Sequence, residues 1–474
     1  MPGYPADRVA RLVADLRPTT TLVHHKKPAC SLSERMAHFA TPGVSIAVVD
    51  GGRVAWERGF GVCTSGQPDP VDAGTLFQAG SVSKPVFALA AMRLVEQGRI
   101  ALDGDIQQYL SSWRIPSNGE WTPRITLRQL LSHTAGTSVH GFPGYPASGP
   151  WPTLTQVLNG LPPANTFPVI VDLFPGMQFR YSGGGTTIAQ AAVTDILGLP
   201  FPEIMRELIF DPLALNDSTF AQPLPPDLAS RSATAHPRNR VPMPGRWHVY
   251  PEMAAAGLWT TAGDLARIGC EFLRILRGES SPLGFSAGLA AEMLKPQLPT
   301  TLEGAFTGLG WVCDGEADAF RCSHDGWNEG FVAGLWLYPA VGKGAAVMIN
   351  SNQGWPLRDE IKEAIAREYD WPHPGSEITT EPLPRAVEGT YQTEQGIVCE
   401  VTCQGAELKI SINEQPPAVF VRKDSDFVSA SVNASLQFLP SMNKATAAIL
   451  KQSGQSFRFE KVGNTSVACL TLCR

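Results

Sequence analysis

Gly80-Ser81-Val82-Ser83-Lys84-Pro85, followed by Val86-Phe87-Ala88-Leu89-Ala90-Ala91-Met92-Arg93-Leu94-Val95-Glu96-Gln97-Gly98, is the stretch on which the reading of this chain turns. Ala, Leu, Met and Val fill its second part, Pro85 is tolerated in a first helical turn and Gly98 closes the run, so a buried helix is predicted. Ser81 and Lys84 stand three apart, which puts both side chains on one face at the start of that helix. A serine beside a helix N-terminus, with an amine in reach, is suited to attack a carbonyl carbon. A second Ser-x-x-Lys, Ser441-Met442-Asn443-Lys444, has no apolar helix after it and reads as a chance copy.

Outward from this stretch, size and composition set the frame. The 474 residues are long for one core, so two domains are expected. Hydrophobic residues make up 43% and charged residues 17%, enough to bury a large core, while 45 Gly and 40 Pro predict many ordered turns. The net charge of -6 and the lack of a basic run argue against nucleic acid or an anionic membrane as partner. Residues 1–21 carry Asp7, Arg8, Arg11, Asp15 and Arg17 in place of the apolar core of a signal peptide. Val9, Leu12, Val13 and Leu16 instead follow the spacing of an amphipathic helix. No run approaches the ~18 apolar residues of a membrane span. Nine scattered cysteines suit free thiols in a reducing compartment, so a cytoplasmic location is expected.

In order along the chain, residues 43–49 and 53–57 flank Asp50-Gly51-Gly52 as a β-hairpin. Short helices are predicted from Leu102 and from Thr126 to Leu131, and residues 137–175, rich in Pro and Gly, as a long connection over a helical lobe. Helices are predicted from about Thr186 to Leu197, from Ala262 to about Leu276, and from Asp359 to Tyr369. Residues 254–261 read as a small-residue loop or strand. Residues 308–312, 319–322, 331–337 and 344–349 read as an antiparallel meander. A Pro-rich linker follows at 373–388. From Gly389 onward short alternating segments, among them 397–401, 408–412, 419–421, 436–439, 457–459 and 467–472, predict a small all-β barrel or sandwich. The fold class is therefore α+β: an antiparallel sheet flanked by helices plus a helical lobe in residues 1–372, then an all-β, lipocalin-like accessory domain in 389–474.

Residues 35–370 resemble the serine β-lactamase and penicillin-binding-protein superfamily, in particular its class C, esterase and D-aminopeptidase branch. The resemblance rests on Phe77-Gln78-Ala79-Gly80-Ser81-Val82-Ser83-Lys84, on Leu130-Leu131-Ser132-His133-Thr134-Ala135-Gly136, on Phe174-Pro175-Gly176 with Tyr181-Ser182, on Gly257-Leu258-Trp259-Thr260-Thr261-Ala262-Gly263-Asp264-Leu265, and on His324-Asp325-Gly326, all in the family's order. It implies Ser81 as acylated nucleophile, Lys84 as the amine that takes its proton, and Tyr181 as phenolate base and later acid. The amides of Ser81 and Trp327 would form the oxyanion hole. His324, Asp325 and Gly326 would line the substrate strand in place of the usual Lys-Thr-Gly, with His324 donating to a carboxylate or tuning Tyr181. Gly183 stands where the family often has Asn, which removes a side-chain amide from β-lactam or peptide recognition.

The implied activity is hydrolysis of a small ester, amide or peptide through a Ser81 acyl-enzyme. The alternatives are an acyltransferase or peptide cyclase on the same intermediate, or a penicillin-binding sensor that does not turn over. No cofactor and no metal is implied. Cys399, Cys403, Cys469 and Cys473 lack the spacing of a zinc knuckle. His133 is expected to cap or brace a loop, Asp264 to open a helix, and Asn328-Glu329-Gly330 to form a solvated loop or, as the second reading, to line the pocket rim. The oligomeric state is open.

Overall fold

The structure, a computed structural model, describes residues 5–17, 29–302, 304–372, 383–405, 407–413, 415–423, 426–429, 434–452 and 455–463. It divides into two units. One holds the described residues of Met1–Leu16 and Cys30–His373; the other holds Arg17, Ala29 and the described residues of Pro374–Arg474.

The first unit is built on an eight-stranded antiparallel sheet. Its strands are β1 (Gly43–Asp50), β2 (Arg53–Gly61), β3 (Leu298–Pro299), β4 (Phe306–Thr307), β5 (Val312–Asp314), β6 (Arg321–Asn328), β7 (Phe331–Tyr338) and β8 (Lys343–Ile349), in spatial order β2-β1-β8-β7-β6-β5-β4-β3. The predicted hairpin is present, with Asp50 paired to Arg53. The helices that frame the sheet and the site are α1 (Pro5–Ala14), α2 (Ser83–Glu96), α3 (Leu127–Leu131), α4 (Gly183–Leu197), α5 (Met253–Ala256), α6 (Ala262–Leu276) and α7 (Trp355–Glu368).

Side-chain alternation explains the layering. Val44, Ile46 and Val48 of β1, with Trp336 of β7 and Val347 of β8, join one cluster with Leu12 of α1 and Ile361 of α7. Ala47, Val49, Leu335 and Met348 point the other way, into a cluster with Leu265 and Phe272 of α6. Both faces are covered, so β7 is buried at every position and reads as an unbroken apolar run although the sheet is antiparallel. Beside the sheet, α2 packs on α5, and α4 on α3 and α5, to make the helical lobe.

Several elements differ from the sequence expectation: within residues 254–261, read as loop or strand, residues 254–256 belong to the helix α5, and the strand read at 319–322 runs from Arg321 to Asn328. Of residues 308–312 only Val312 lies in a strand: Gly310 has φ +80°, a Cβ there would lie 2.5 Å from Ala88 of α2, and the run is broken between β4 and β5. The helix expected from about Thr186 starts three residues earlier: Gly183-Gly184-Gly185 is the first turn of α4, capped by the Ser182 hydroxyl, which accepts from Gly185 N at 3.0 Å. Side chains there would collide with Phe142, Ser138 O and Thr137. The last helix begins at Trp355, four residues early, because Pro356 suits a first helical turn. Residues 137–175 also contain the helix Leu154–Asn159.

The second unit is a closed barrel of eight strands, in which Gly389–Gln392 pairs with both Val398–Gln404 and Gln455–Gly463. That closure selects barrel over sandwich. Tyr391, Leu408, Phe420, Phe427, Phe438 and Phe459 fill it. The segment 467–472, Cys469 and Cys473 lie outside the described residues, among which no group of three or more His, Cys, Asp or Glu is placed to hold a metal ion. No described helix is long and apolar enough to cross a membrane.

Candidate active site

Ser81 sits in a single 3-10 turn, Gly80–Val82, that runs directly into α2. Two features fix this turn. The buried Ser83 hydroxyl donates to Gly80 O at 2.6 Å and accepts from Leu258 N at 3.0 Å, while Ala79 N donates to Leu258 O at 2.9 Å. The Gly257-Leu258-Trp259 motif is thus the backbone clamp of the nucleophile. On the other side the turn meets β6 without room for a methyl group. A Cβ on Gly80, which has φ +52°, would lie 2.6 Å from Trp327 N, and one on Gly326 would lie 2.0 Å from Ala79 O. The Ser81 and Trp327 amides are therefore held on adjoining backbone.

Lys84 is 4% exposed, and its Nζ donates to Ser81 Oγ at 3.0 Å and to Ala255 O at 2.8 Å. Burial lowers its pKa from 10.5 to about 7. The amine also lies 4.9 Å from the centre of the Tyr181 ring. Burial pushes the Tyr181 phenol well above its ordinary value; its interaction with Ser81 pulls it down less, and the charge of Asp325 adds to the rise.

Histidines surround that ring. His133 stacks on Tyr181 at 4.3 Å and His140 at 5.0 Å, with His324 at 6.1 Å. His133 braces a loop as expected: its Nδ1 accepts from Ser182 N at 3.2 Å. Asp264 opens α6 and accepts from Ser218 Oγ at 2.9 Å.

His324, Asp325, Gly326 and Trp327 all lie on β6. Alternation sends His324, Gly326 and Asn328 inward and leaves Asp325 and Trp327 exposed. Asp325 pairs with Arg358 of α7 at 2.8 Å, an ion pair not aligned as a hydrogen bond. His324 Nδ1 lies 2.7 Å from Asp325 O, and burial followed by the charge of Lys84 lowers its pKa to about 3. Asn328 corrects the sequence expectation: it is 1% exposed, and its Nδ2 donates to Gln78 Oε1 and to Ala256 O, both at 2.9 Å. Ending β6 rather than opening a loop, Asn328 ties that strand to the residues before Ser81.

Ser81, Lys84, Tyr181, His324 and Trp327 line one cavity of about 870 Å³. Phe142, Phe179 and Leu302 supply apolar wall. Sequence reasoning missed His140 and Arg358, which stand outside the quoted motifs and are brought there by the fold; Asn328 and Glu329 line the cavity, the second of the two readings of that run.

The beta-lactamase family model matches residues 31–369. An unguisins hydrolase of Aspergillus violaceofuscus is 24% identical over 67% of the chain and 60% of its own length. The lovastatin esterase of Penicillium rubens is 29% identical over 36% of the chain and 46% of its own length. The D-alanyl-D-alanine-carboxypeptidase/endopeptidase AmpH of Escherichia coli is 26% identical over 48% of the chain and 56% of its own length. The chain thus spans less than two thirds of each of these relatives. Among solved structures, the octameric penicillin-binding protein homologue from Pyrococcus abyssi superposes with a TM-score of 0.61 at 20% identity, covering 91% of this chain and 98% of that one, which speaks for the fold.

Proposed function

The chain belongs to the beta-lactamase family, and from that premise we propose that it is a serine hydrolase that cleaves a small ester or amide through an acyl-enzyme on Ser81. The observation that carries the reading is the 3.0 Å contact between Ser81 Oγ and a buried amine whose pKa is about 7. Near neutral pH a large share of Lys84 is uncharged and accepts the Ser81 proton as Oγ attacks the carbonyl carbon. The oxyanion that forms points at the Ser81 and Trp327 amides. Collapse expels the leaving group, which takes its proton from the Lys84 ammonium. Water then repeats the cycle: Lys84 takes its proton, the hydroxide adds to the acyl carbon, and Ser81 leaves reprotonated.

The raised pKa of Tyr181 supports one reading of its role. A phenol held above its ordinary value stays protonated at neutral pH, so Tyr181 relays a proton between Ser81 and the leaving atom, and Lys84 rather than a Tyr181 phenolate is the base. The relatives' printed names (hydrolase, esterase, carboxypeptidase) agree with ester or amide cleavage. Without the Asn at position 183, esters and amides are proposed ahead of β-lactams. The test is steady-state turnover of a p-nitrophenyl ester by wild type and Ser81→Ala. The substitution is expected to remove turnover; equal rates would refute the assignment.

A further inference from the structure

Two buried polar atoms on the wall of this cavity have no hydrogen-bond partner, His324 Nε2 and Arg358 Nη1, and the second is held in an ion pair with Asp325. His324 is 6% exposed, lines the cavity beside Ser81, and its Nε2 has no hydrogen-bond partner. The free atom's chemistry follows from the bonded one. A carbonyl oxygen only accepts, so the 2.7 Å contact to Asp325 O places the ring proton on Nδ1. Burial and the neighbouring Lys84 amine keep the ring from taking a second proton near neutral pH. Nε2 therefore holds a buried, unsatisfied lone pair. It is an acceptor and cannot donate to a carboxylate, contrary to the role expected from the sequence.

The surrounding charges favour the same kind of ligand. The fixed cations on the cavity wall are engaged: Arg321 Nε bonds Asp314 at 3.0 Å, Arg358 pairs with Asp325 and Asp359, and Lys362 pairs with Glu363. Glu329, two residues beyond Trp327 on the same stretch of chain, adds a negative charge to the cavity wall that disfavours an anion. The side of the substrate is also set. The leaving atom must come within reach of the Tyr181 and Lys84 protons, and the His324 ring centre is 6.1 Å from that of Tyr181.

We infer that His324 determines specificity by accepting a hydrogen bond from an uncharged N–H or O–H of the leaving group, so that the site selects esters and amides whose leaving group carries a neutral donor over those that end in a carboxylate. This rests on the acyl-enzyme reading. A donor there satisfies the lone pair. A carboxylate would leave it unpaired and place two sets of acceptors against each other, a mismatch that costs far more than the loss of a methyl group.

A matched pair of depsipeptides tests it: an N-acyl-alanyl ester of lactamide and the same ester of lactate, which share the scissile bond and differ only in carboxamide against carboxylate. Wild type is expected to favour the lactamide ester in kcat/KM by at least about tenfold. His324→Lys, which puts a cation in the acceptor's place, should reverse the preference, and His324→Phe should bring the ratio near one whatever its absolute rate. An equal or greater kcat/KM for the lactate ester in wild type would overturn the inference, as would a ratio that survives His324→Phe. If neither ester is turned over, the ratio of their competitive inhibition constants against a p-nitrophenyl ester supports or overturns the inference in the same way. Loss of p-nitrophenyl ester turnover in wild type itself is a separate result, which overturns the hydrolase reading and the inference built on it.

Discussion

Replacing Lys84 by Met should make the protein more stable while abolishing its activity. Lys84 titrates at 10.5 when unhindered and at about 7 in the fold. Between these values the folded state holds the amine neutral and the unfolded state holds it protonated. Unfolding then takes up a proton, so stability rises with pH across this window. At 1.36 kcal/mol per pH unit, burying this amine costs the folded state about 4 kcal/mol at pH 7 and about 1 kcal/mol at pH 10. Methionine has similar volume and no charge to desolvate, but it leaves Ala255 O without the donor now 2.8 Å away, a loss of about 1 kcal/mol. The burial cost is the larger effect. Lys84→Met should therefore be stabilised by about 3 kcal/mol at pH 7, with the advantage vanishing near pH 10. Urea denaturation of both proteins at several pH values measures this, and the difference between them cancels every group they share. In parallel, wild-type kcat/KM for a neutral ester should rise with pH through an apparent pKa near 7 as Lys84 becomes a base. A destabilised variant at pH 7, or a stability difference that does not change with pH, would rule out a buried neutral amine at this position.

Tyr181→Phe should lower kcat by about 10²- to 10⁴-fold with KM nearly unchanged, because it removes the relayed proton and little substrate contact; steady-state kinetics on one ester decides. Gly326→Ala places a Cβ 2.0 Å from Ala79 O and must push β6 away from the nucleophile turn. Its kcat/KM should fall at least about 100-fold, a loss that a displacement near 1 Å can produce. Asn328→Leu leaves Gln78 Oε1 and Ala256 O unpaired in the interior and should cost about 2–4 kcal/mol by denaturant titration; an unchanged midpoint would remove Asn328 from the support of the site.

The motif serine and lysine were legible because their relation is local: side chains three apart at a helix start meet whatever the rest of the chain does. The hairpin, the strands at 331–337 and 344–349, and α6 were legible for a similar reason, since short-range periodicity sets them. What escaped was non-local. Asn328 looked like a loop residue because Glu329 and Gly330 follow it, yet its side chain is claimed by Gln78, 250 positions away. The glycines of α4 were left outside the predicted helix, and only the approach of Ser138 and Phe142 gives them a helical use. The surroundings of His324 are likewise set by the fold: its Nδ1 meets a carbonyl one residue on, and other elements bury its Nε2. In the second unit, Asp426–Ser429 and Ala447–Gln452 were not singled out, since four residues, or a run of alanines, carry little strand signal.

The whole mechanism depends on Ser81 carrying the acyl group. Intact-protein mass after brief exposure to a fluorophosphonate, followed by peptide mapping, tests this most directly. One adduct per chain is expected, located on Ser81 and absent from Ser81→Ala. An adduct on another residue, or equal labelling of the variant, would contradict it.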